Sequence, residues 1–369
     1  MKKITQLGLL LLLAPVFANA TIHTVSNDIN KPAQYPDIPQ AIAATTTLNG
    51  DTIYINGTQY TYSDITINKK LVFIGAGFNV ANQFNLITAI NNIYFFKDAG
   101  VNDGSGTVIS GFKVTNISLA YGSLGISNIK VFRNQIGQIN MALNNWAIYN
   151  NVFSGNCYGL NGNNASSSVV IQNNIFYSAT GNVNSFNQPS VVIDHNLFIN
   201  VTGGCNAGTA ALSSLQFAII TNNIFTSSSG TLCWNNVTQS TFNNNLSVSS
   251  NISTVAPTNS FLSNNNTGGG NQVGVNPLFI TDPDFNNYSN TDNYRLTPTT
   301  SPGYQKATDG TDIGIYGGSY PFPSGGAPGS GYDTSPLPPI PQISSVNIQN
   351  ASVLPGSQLQ VNVSATVNN

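Results

Sequence analysis

One seven-residue unit recurs through the middle of the chain, and it limits the fold more than any other sequence feature. Each copy has an apolar, β-branched stretch, a polar pair centred on asparagine, and then an aliphatic residue followed by phenylalanine. The clear copies occupy residues 147–153, 170–176, 192–198 and 219–225, with degenerate copies at 130–136 and 241–247. The first position of the pair reads Asn116, Arg133, Asn150, Asn173, His195, Asn222 and Asn244, with spacings of 17, 17, 23, 22, 27 and 22 residues. Such a period is too short for a propeller blade and fits one coil of a parallel β-solenoid.

Apolar residues within each unit lie two positions apart. The pairs are Trp146 and Ile148, Val169 and Ile171, Val191 and Ile193, and Ala218 and Ile220. This alternation is typical of a strand with one buried face. Stacked coils would place equivalent side chains about 4.8 Å apart, which is the spacing between neighbouring strands.

The first position of the polar pair is interpreted as a structural ladder. A buried turn amide must find partners or lose about 1–3 kcal/mol for each unsatisfied group. Asparagine carries a donor and an acceptor on a short stem, and it tolerates the left-handed backbone of a sharp corner. The predicted ladder comprises Asn116, Asn150, Asn173, His195, Asn222 and Asn244.

Composition supports many short strands and excludes several partners. All thirteen acidic residues are aspartate, so the chain lacks glutamate, a good helix former. The net charge is −2 and only 7% of residues are charged, which argues against binding to nucleic acid or an anionic membrane. A disordered, prion-like tract is the alternative, but 40% of residues are hydrophobic and regularly placed, which favours a packed core.

The N-terminus has the three parts of a secretory signal. Two lysines follow Met1, an apolar run covers residues 7–17, and Ala18-Asn19-Ala20 provides a small-x-small cleavage site. We expect residues 1–20 to be a signal peptide and the mature protein to begin at Thr21. The apolar run is shorter than the roughly 20 residues that cross a membrane, and no later segment looks transmembrane. A buried N-terminal helix is the alternative.

Residues at both ends of the repeat resemble the pectin-lyase-like superfamily, particularly its secreted and surface-bound bacterial members. The matching pieces are the Pro-x-Ile-x-x-Ala-Ile helix pattern at residues 36–42, Gly50-Asp51-Thr52-Ile53, the strand at residues 71–75, the repeated coils, and a closing run. That run contains Asn276-Pro277-Leu278-Phe279, Tyr294-Arg295-Leu296, Ser301-Pro302 and residues 311–317. The resemblance implies an all-β fold, a right-handed parallel β-helix over residues 21–321 with an N-terminal capping helix. It says little about function, because this scaffold carries many activities.

Composition changes after the closing run. Residues 322–342 are rich in glycine and proline, which predicts an extended, stiff linker. Residues 343–369 contain two alternating runs around Pro355-Gly356. They predict a short C-terminal β-hairpin, which is marginal alone and would either pack on the helix or offer an edge to a partner.

The coils hold little chemistry. Relatives of this fold that cleave acidic polysaccharides need a calcium site beside a strong base, or a pair of carboxylates. Between residues 104 and 250 the only carboxylate is Asp194. Asp194 is expected on the solvated outer face and His195 is expected to substitute for a ladder asparagine, so no catalytic residue is assigned. A catalytic Asp194–His195 dyad is the alternative.

A basic and aromatic patch is the candidate binding site. Lys113 and Lys130 are predicted to share one outward column, and Phe132 and Tyr149 another. Rings beside ammonium groups suit sugar stacking. Exposed aromatic residues without a ligand are the alternative.

Neither a metal nor a cofactor is assigned. The segments Asp98–Asp103 and Asp282–Asn286 carry closely spaced oxygen ligands, so calcium is an alternative. Neither segment reproduces an EF-hand or a repeat-in-toxin loop, and both are interpreted as turns. Cys205 and Cys233 are 28 residues apart and are expected on neighbouring coils, as a disulfide or as stacked thiols, with Cys157 left free.

The favoured function is a non-catalytic secreted or cell-surface protein that binds glycans or another surface component. The alternative is a polysaccharide lyase or glycoside hydrolase that acts on uronate-containing polymers through residues in irregular loops. Ice binding lacks the regular Thr-x-Thr ranks that it would need.

Overall fold

The structure is a computed structural model that describes eleven stretches and one isolated residue. These are residues 20–79, 86–154, 159–177, 183–199, 210–226, 234–249, 260–281, 288–289, 292–322, 341–349, 356 and 358–367. Residues 1–19 of the predicted signal peptide 1–20, most of the linker, residues 282–287 and all three cysteines lie outside them.

The main body is a parallel β-solenoid of about eight turns, which confirms the predicted all-β fold. One face of the solenoid is an 11-stranded parallel sheet. Its strands are β1 (Ile22–Val25), β2 (Thr52–Ile55), β4 (Val72–Gly75), β6 (Val108–Ser110), β8 (Lys130–Phe132), β10 (Ala147–Tyr149), β13 (Val169–Gln172), β16 (Val191–Asp194), β19 (Ile219–Thr221), β22 (Thr241–Asn243) and β24 (Thr267–Gly269).

A second, 14-stranded sheet forms the remaining sides. Its strands are β3 (Ile65–Ile67), β5 (Ala89–Phe95), β7 (Lys113–Leu119), β9 (Gln135–Asn140), β11 (Val152–Phe153), β12 (Leu160–Asn161), β14 (Ile175–Tyr177), β15 (Val183–Phe186), β17 (Leu197–Ile199), β18 (Leu212–Gln216), β20 (Ile224–Phe225), β21 (Trp234–Thr238), β23 (Leu246–Ser247) and β25 (Gln272–Val273). Strand β9 pairs with both β11 and β12, so each single long strand of the early coils becomes two short strands in the later ones.

The register of the repeat follows the predicted alternation. Ile148 lies beside Ile171, and Ile171 beside Ile193, each fully buried. The phenylalanine that ends each unit also points inward, and Phe153, Phe176, Phe198 and Phe225 stack with centroid distances of 4.6, 4.8 and 4.9 Å. Inward columns of aliphatic and aromatic side chains therefore form one core along the whole solenoid.

A short helix, α1 (Ile38–Ala43), precedes the second strand, where the sequence predicts one. Asp37 caps its first turn by accepting a hydrogen bond from the Gln40 backbone N–H, and Ile38, Ala41 and Ile42 are buried. At its other end the Lys69 ammonium lies 2.7–3.2 Å from three backbone carbonyls. A cation is favoured at this end of a helix, where backbone carbonyls lack intrahelical partners.

Within the residues that the structure describes, two antiparallel hairpins follow the solenoid. The first joins β26 (Phe279–Thr281) to β27 (Asn293–Leu296), and the second joins β28 (Pro341–Ile348) to β29 (Val361–Val367). The second hairpin is the predicted C-terminal strand pair.

Strand β27 and the segment after it form a second apolar core on the outside of the coils. Tyr294, Leu296, Ile313, Ile315 and Phe322 are buried against a column of aliphatic residues. That column is Val152, Ile175, Leu197, Ile224 and Leu246, the residue just after each asparagine pair. The closing run of the sequence thus covers the outer side of the solenoid by packing against this column.

Candidate functional site

The asparagine ladder lies one residue later than predicted. Its members are Asn134, Asn151, Asn174, Asn196, Asn223, Asn245 and Asn271, the second position of each pair. From Asn151 to Asn271, each side-chain oxygen accepts two hydrogen bonds of 2.9–3.1 Å, one from the backbone N–H and one from the side-chain amide of the preceding coil's asparagine. The oxygen of Asn134, at the start of the ladder, accepts a 2.9 Å hydrogen bond from the Phe112 backbone N–H. These side chains point into the coil, and the ladder is structural.

The first position of the pair forms the corner instead. Arg133, Asn150, Asn173, His195, Asn222 and Asn244 all have φ between 51° and 57°. A left-handed residue turns the chain outward, so its side chain leaves the core and the following asparagine enters it. The predicted ladder role is therefore wrong for the five residues of this column to which it was assigned, Asn150, Asn173, His195, Asn222 and Asn244.

Asn116 is not part of this column. It lies within β7 beside Gln138, which donates a 3.1 Å hydrogen bond to it. The corner of that coil is Gly111, with φ of 86°, since Ser110 pairs with Phe132 in the neighbouring strand. Gly111, not Asn116, is therefore the residue that lies one full coil before Arg133. The 17-residue spacing between Asn116 and Arg133 joins two positions that are not equivalent.

The corner side chains hold the cover in place. We call residues 305–320 the C-terminal strap. Asn150 donates to the Tyr320 carbonyl at 2.8 Å, and Asn173 donates to the carbonyls of Ile315 and Gly317 at 3.0 and 2.8 Å. Further along, Asn222 exchanges two hydrogen bonds with Thr308, and Asn244 donates to the Lys306 carbonyl at 2.7 Å. The corner column therefore binds the strap across successive coils.

Asp194 and His195 lie under this strap. The His195 imidazole is only 1% exposed, and its Nδ1 lies 2.9 Å from Asp194 Oδ2, at an angle outside that of a hydrogen bond. On its other side, Nε2 lies 3.3 Å from the Thr311 hydroxyl and 3.8 Å from Asp309 Oδ1. The strap thus completes an Asp–His–Asp row whose centre is closed to solvent.

Asp194 is not the solvated residue that its column predicts. It is 9% exposed and accepts hydrogen bonds from Gln172, Thr221 and Asn222 at 2.7–2.9 Å. Burial raises the pKa of Asp194, but the His195 contact and the hydrogen bonds outweigh it, so the pKa lies below its ordinary value. A carboxylate with its lone pairs so occupied is poorly suited to act as a base or nucleophile.

The aromatic half of the predicted patch is a three-ring stack. Phe132 and Tyr149 lie side by side with centroids 5.0 Å apart and planes within 4°, as predicted. Tyr320 of the strap adds a third ring 4.5 Å from Tyr149. Burial, supported by the nearby Tyr320, raises the pKa of Tyr149, and burial lowers the pKa of the adjacent Arg133 guanidinium.

The two lysines of the patch do not share a column. Lys130 begins β8 in the first sheet, beside Val108 and Ala147. Lys113 begins β7 in the second sheet, beside Ala89 and Gln135. Both are exposed, but only Lys130 lies two residues before Phe132, on the same outward face. The prediction that Lys113 and Lys130 share a column is wrong. It assumed the same 17-residue spacing between coils that misplaced Asn116.

The oxygen ligands of Asp98 and Asp103 are already used. Asp98 accepts hydrogen bonds from the Gly100 N–H and from the backbone and side chain of Asn102, while Asp103 pairs with Lys97 at 2.8 Å. The segment behaves as a turn. Within the described ranges, no group of three or more His, Cys, Asp or Glu residues could hold a metal ion. The segment 282–286 and the Cys205–Cys233 pairing lie outside those ranges.

Sequence reasoning missed Asp309, Thr311 and Tyr320. They join Asp194, His195 and Tyr149 from the strap, at separations such as the 116 residues between Thr311 and His195. The one available signal was the closing run itself, which the resemblance marked as a recurring end of such helices.

None of the helices in the described residues is long and apolar enough to cross a membrane. Comparison of the chain with known protein families found no matching family model, and no curated protein matches its sequence.

Proposed function

We propose that this chain is an exported, non-catalytic parallel β-helix protein that binds glycans at the cell surface or outside the cell. Export would use residues 1–20, as their basic, apolar and small-residue pattern indicates. The finer assignment is a right-handed, pectin-lyase-like β-helix with α1 over its first coil. Parallel crossovers are right-handed in about 98% of cases, which supports that hand.

The burial of His195 carries the non-catalytic half of the proposal. A sugar ring would have to reach the imidazole, yet the strap leaves it 1% exposed and Asp194 9% exposed. The strap also brings Asp309, whose side chain is 43% exposed, but its Oδ1 accepts from the Thr311 hydroxyl and backbone at 2.6 and 3.0 Å. These contacts of His195 with Asp194, Thr311 and Asp309 support a structural role, in which the row connects the strap to the coil.

A patch on the first sheet supports the binding half. Lys130, Phe132 and Tyr149 lie on one outward face, and Tyr320, 43% exposed, extends it. Ring edges and tyrosine hydroxyls suit sugar hydroxyls, and an exposed ammonium suits a uronate carboxylate. The ligand class that fits best is an acidic polysaccharide.

Two matched lysine variants test this site. Binding of purified protein to an array of acidic and neutral glycans is measured for the parent, Lys130→Ala and Lys113→Ala. Loss of one charge-assisted contact, about 1.4 kcal/mol, should weaken acidic-glycan binding about tenfold in Lys130→Ala. Lys113→Ala should bind as the parent does, because it lies in the other sheet. Equal affinities in all three proteins, or equal losses in both variants, would refute the site.

A further inference from the structure

The first coil contains a buried carboxylate that the glycan site does not use. Asp51 is 2% exposed. Its Oδ2 accepts a 2.8 Å hydrogen bond from the Leu48 backbone and lies 3.1 Å from His23 Nε2. Its Oδ1 accepts a 2.7 Å hydrogen bond from the backbone nitrogen of Thr21.

That nitrogen is the atom which cleavage after Ala20 would free. Thr21 and Ala20 are both exposed, whereas the carboxylate that Thr21 N contacts is buried. The Thr21 carbonyl is fixed as well, because it accepts a 2.9 Å hydrogen bond from the Thr52 N–H. The first residue of the expected mature chain is therefore held at both its nitrogen and its carbonyl.

The charges around Asp51 favour a cation at this position. Burial raises the pKa of Asp51, but the hydrogen bonds from Leu48 and Thr21 and the His23 contact outweigh it, so the pKa lies below its ordinary value. Next to this pair lies Tyr35, whose ring centroid is 5.8 Å from that of His23. A buried carboxylate in such surroundings would gain from a permanent cation.

We propose that Asp51 is a binding site for the α-ammonium group produced when the chain is cut between Ala20 and Thr21. Hydrolysis adds one water across this bond: the Ala20 carbonyl carbon leaves as a carboxylate, and Thr21 N becomes an ammonium. The amide hydrogen bond to Asp51 then becomes an ion pair with a charge-assisted hydrogen bond. The inference rests on the proposed export, and it makes processing the step that completes the first coil.

A double-mutant cycle tests the site without relying on export. One protein begins at Thr21, released from a removable fusion, and a second begins at Ala20, which moves the ammonium about 3.8 Å along the chain. Each is also made with Asp51→Asn. The Ala20 start should lower the melting temperature by about 2–4 °C when Asp51 is present. It should have no effect in the Asp51→Asn proteins, where the side chain is an uncharged amide. An equal shift in both backgrounds, or no shift in either, overturns the proposal.

A second measurement covers failure of Asp51→Asn to fold. In the Thr21-start protein, acylation of the α-amine should be several-fold slower than in the free peptide Thr-Ile-His-Thr-Val, because the carboxylate disfavours the reactive neutral amine. Equal rates would overturn the proposal.

Mass spectrometry of the exported protein separates the two claims. An N-terminus at Thr21 supports processing at this site. Another terminus overturns the link to processing even if the double-mutant cycle shows an ammonium site, and it leaves the glycan-binding result unaffected.

Discussion

Removing one rung of the asparagine ladder should cost far more stability than removing the corner residue beside it. Asn174 is fully buried, and its side-chain nitrogen lies 2.9–3.1 Å from three oxygen acceptors. Its oxygen accepts from the backbone and side chain of Asn151, both at 3.0 Å. In Asn174→Ala the backbone N–H of Asn151 loses this acceptor, and the acceptors of Asn174 lose its donor.

The magnitude follows from these contacts. Two or more buried groups left unsatisfied, at about 1–3 kcal/mol each, predict a loss of about 3–5 kcal/mol in the free energy of unfolding. Asn173→Gly is the matched control, because glycine keeps the left-handed corner and only two hydrogen bonds to the strap are lost. We expect about 1–2 kcal/mol there, because the Ile315 carbonyl keeps its hydrogen bond from the Phe322 N–H.

Urea unfolding followed by circular dichroism gives both values, with the denaturant slope m checked for constancy. A loss in Asn173→Gly that equals or exceeds the loss in Asn174→Ala would refute the assignment of the ladder to the second position.

Two further predictions concern the strap. The pKa of folded Asp194 lies below its ordinary value, so its stabilising effect is complete above the unfolded pKa of about 3.9 and is lost as the pH falls through the folded pKa. The unfolding free energy of the parent should therefore drop more steeply below about pH 4 than that of Asp194→Asn, and parallel curves would contradict this. In Gly317→Ala the new methyl group would meet the Asp312 carbonyl and lie 2.7 Å from His195 Cδ2. The strap should then lift and its amides exchange faster in hydrogen-exchange mass spectrometry, whereas Gly125→Ala, with nothing within 4 Å of the new carbon, should leave exchange unchanged.

The fold was predictable because every coil has the same structural requirements, and these recur in the sequence. An alternating strand, a corner and an inward amide recur with each turn, so Ile148, Ile171 and Ile193 could be placed in the core from spacing alone. Choosing between the two positions of the pair needed a subtler observation. Arg133 and His195 interrupt the first position, while the second is asparagine in each coil from Asn134 to Asn245.

The site was less predictable, because its neighbours depend on register and on distant contacts. The assumed 17-residue step placed Lys113 above Lys130, whereas the structure puts them in different sheets. The column assigned Asp194 to an outer face correctly, but the burial of that face depends on a strap more than a hundred residues later. The period of the repeat gives no information about which distant segment, here the strap, packs against the outer face of the coils.

The most direct test of the account is a search for catalysis by the purified protein. It is incubated with pectins, alginate and other uronate polymers, and new unsaturated and reducing ends are measured for the parent and for His195→Ala. Since the strap buries His195 and Asp194, we expect neither protein to release new ends. Product formed by the parent would contradict the account, and its loss in a folded His195→Ala protein would place the catalysis at His195.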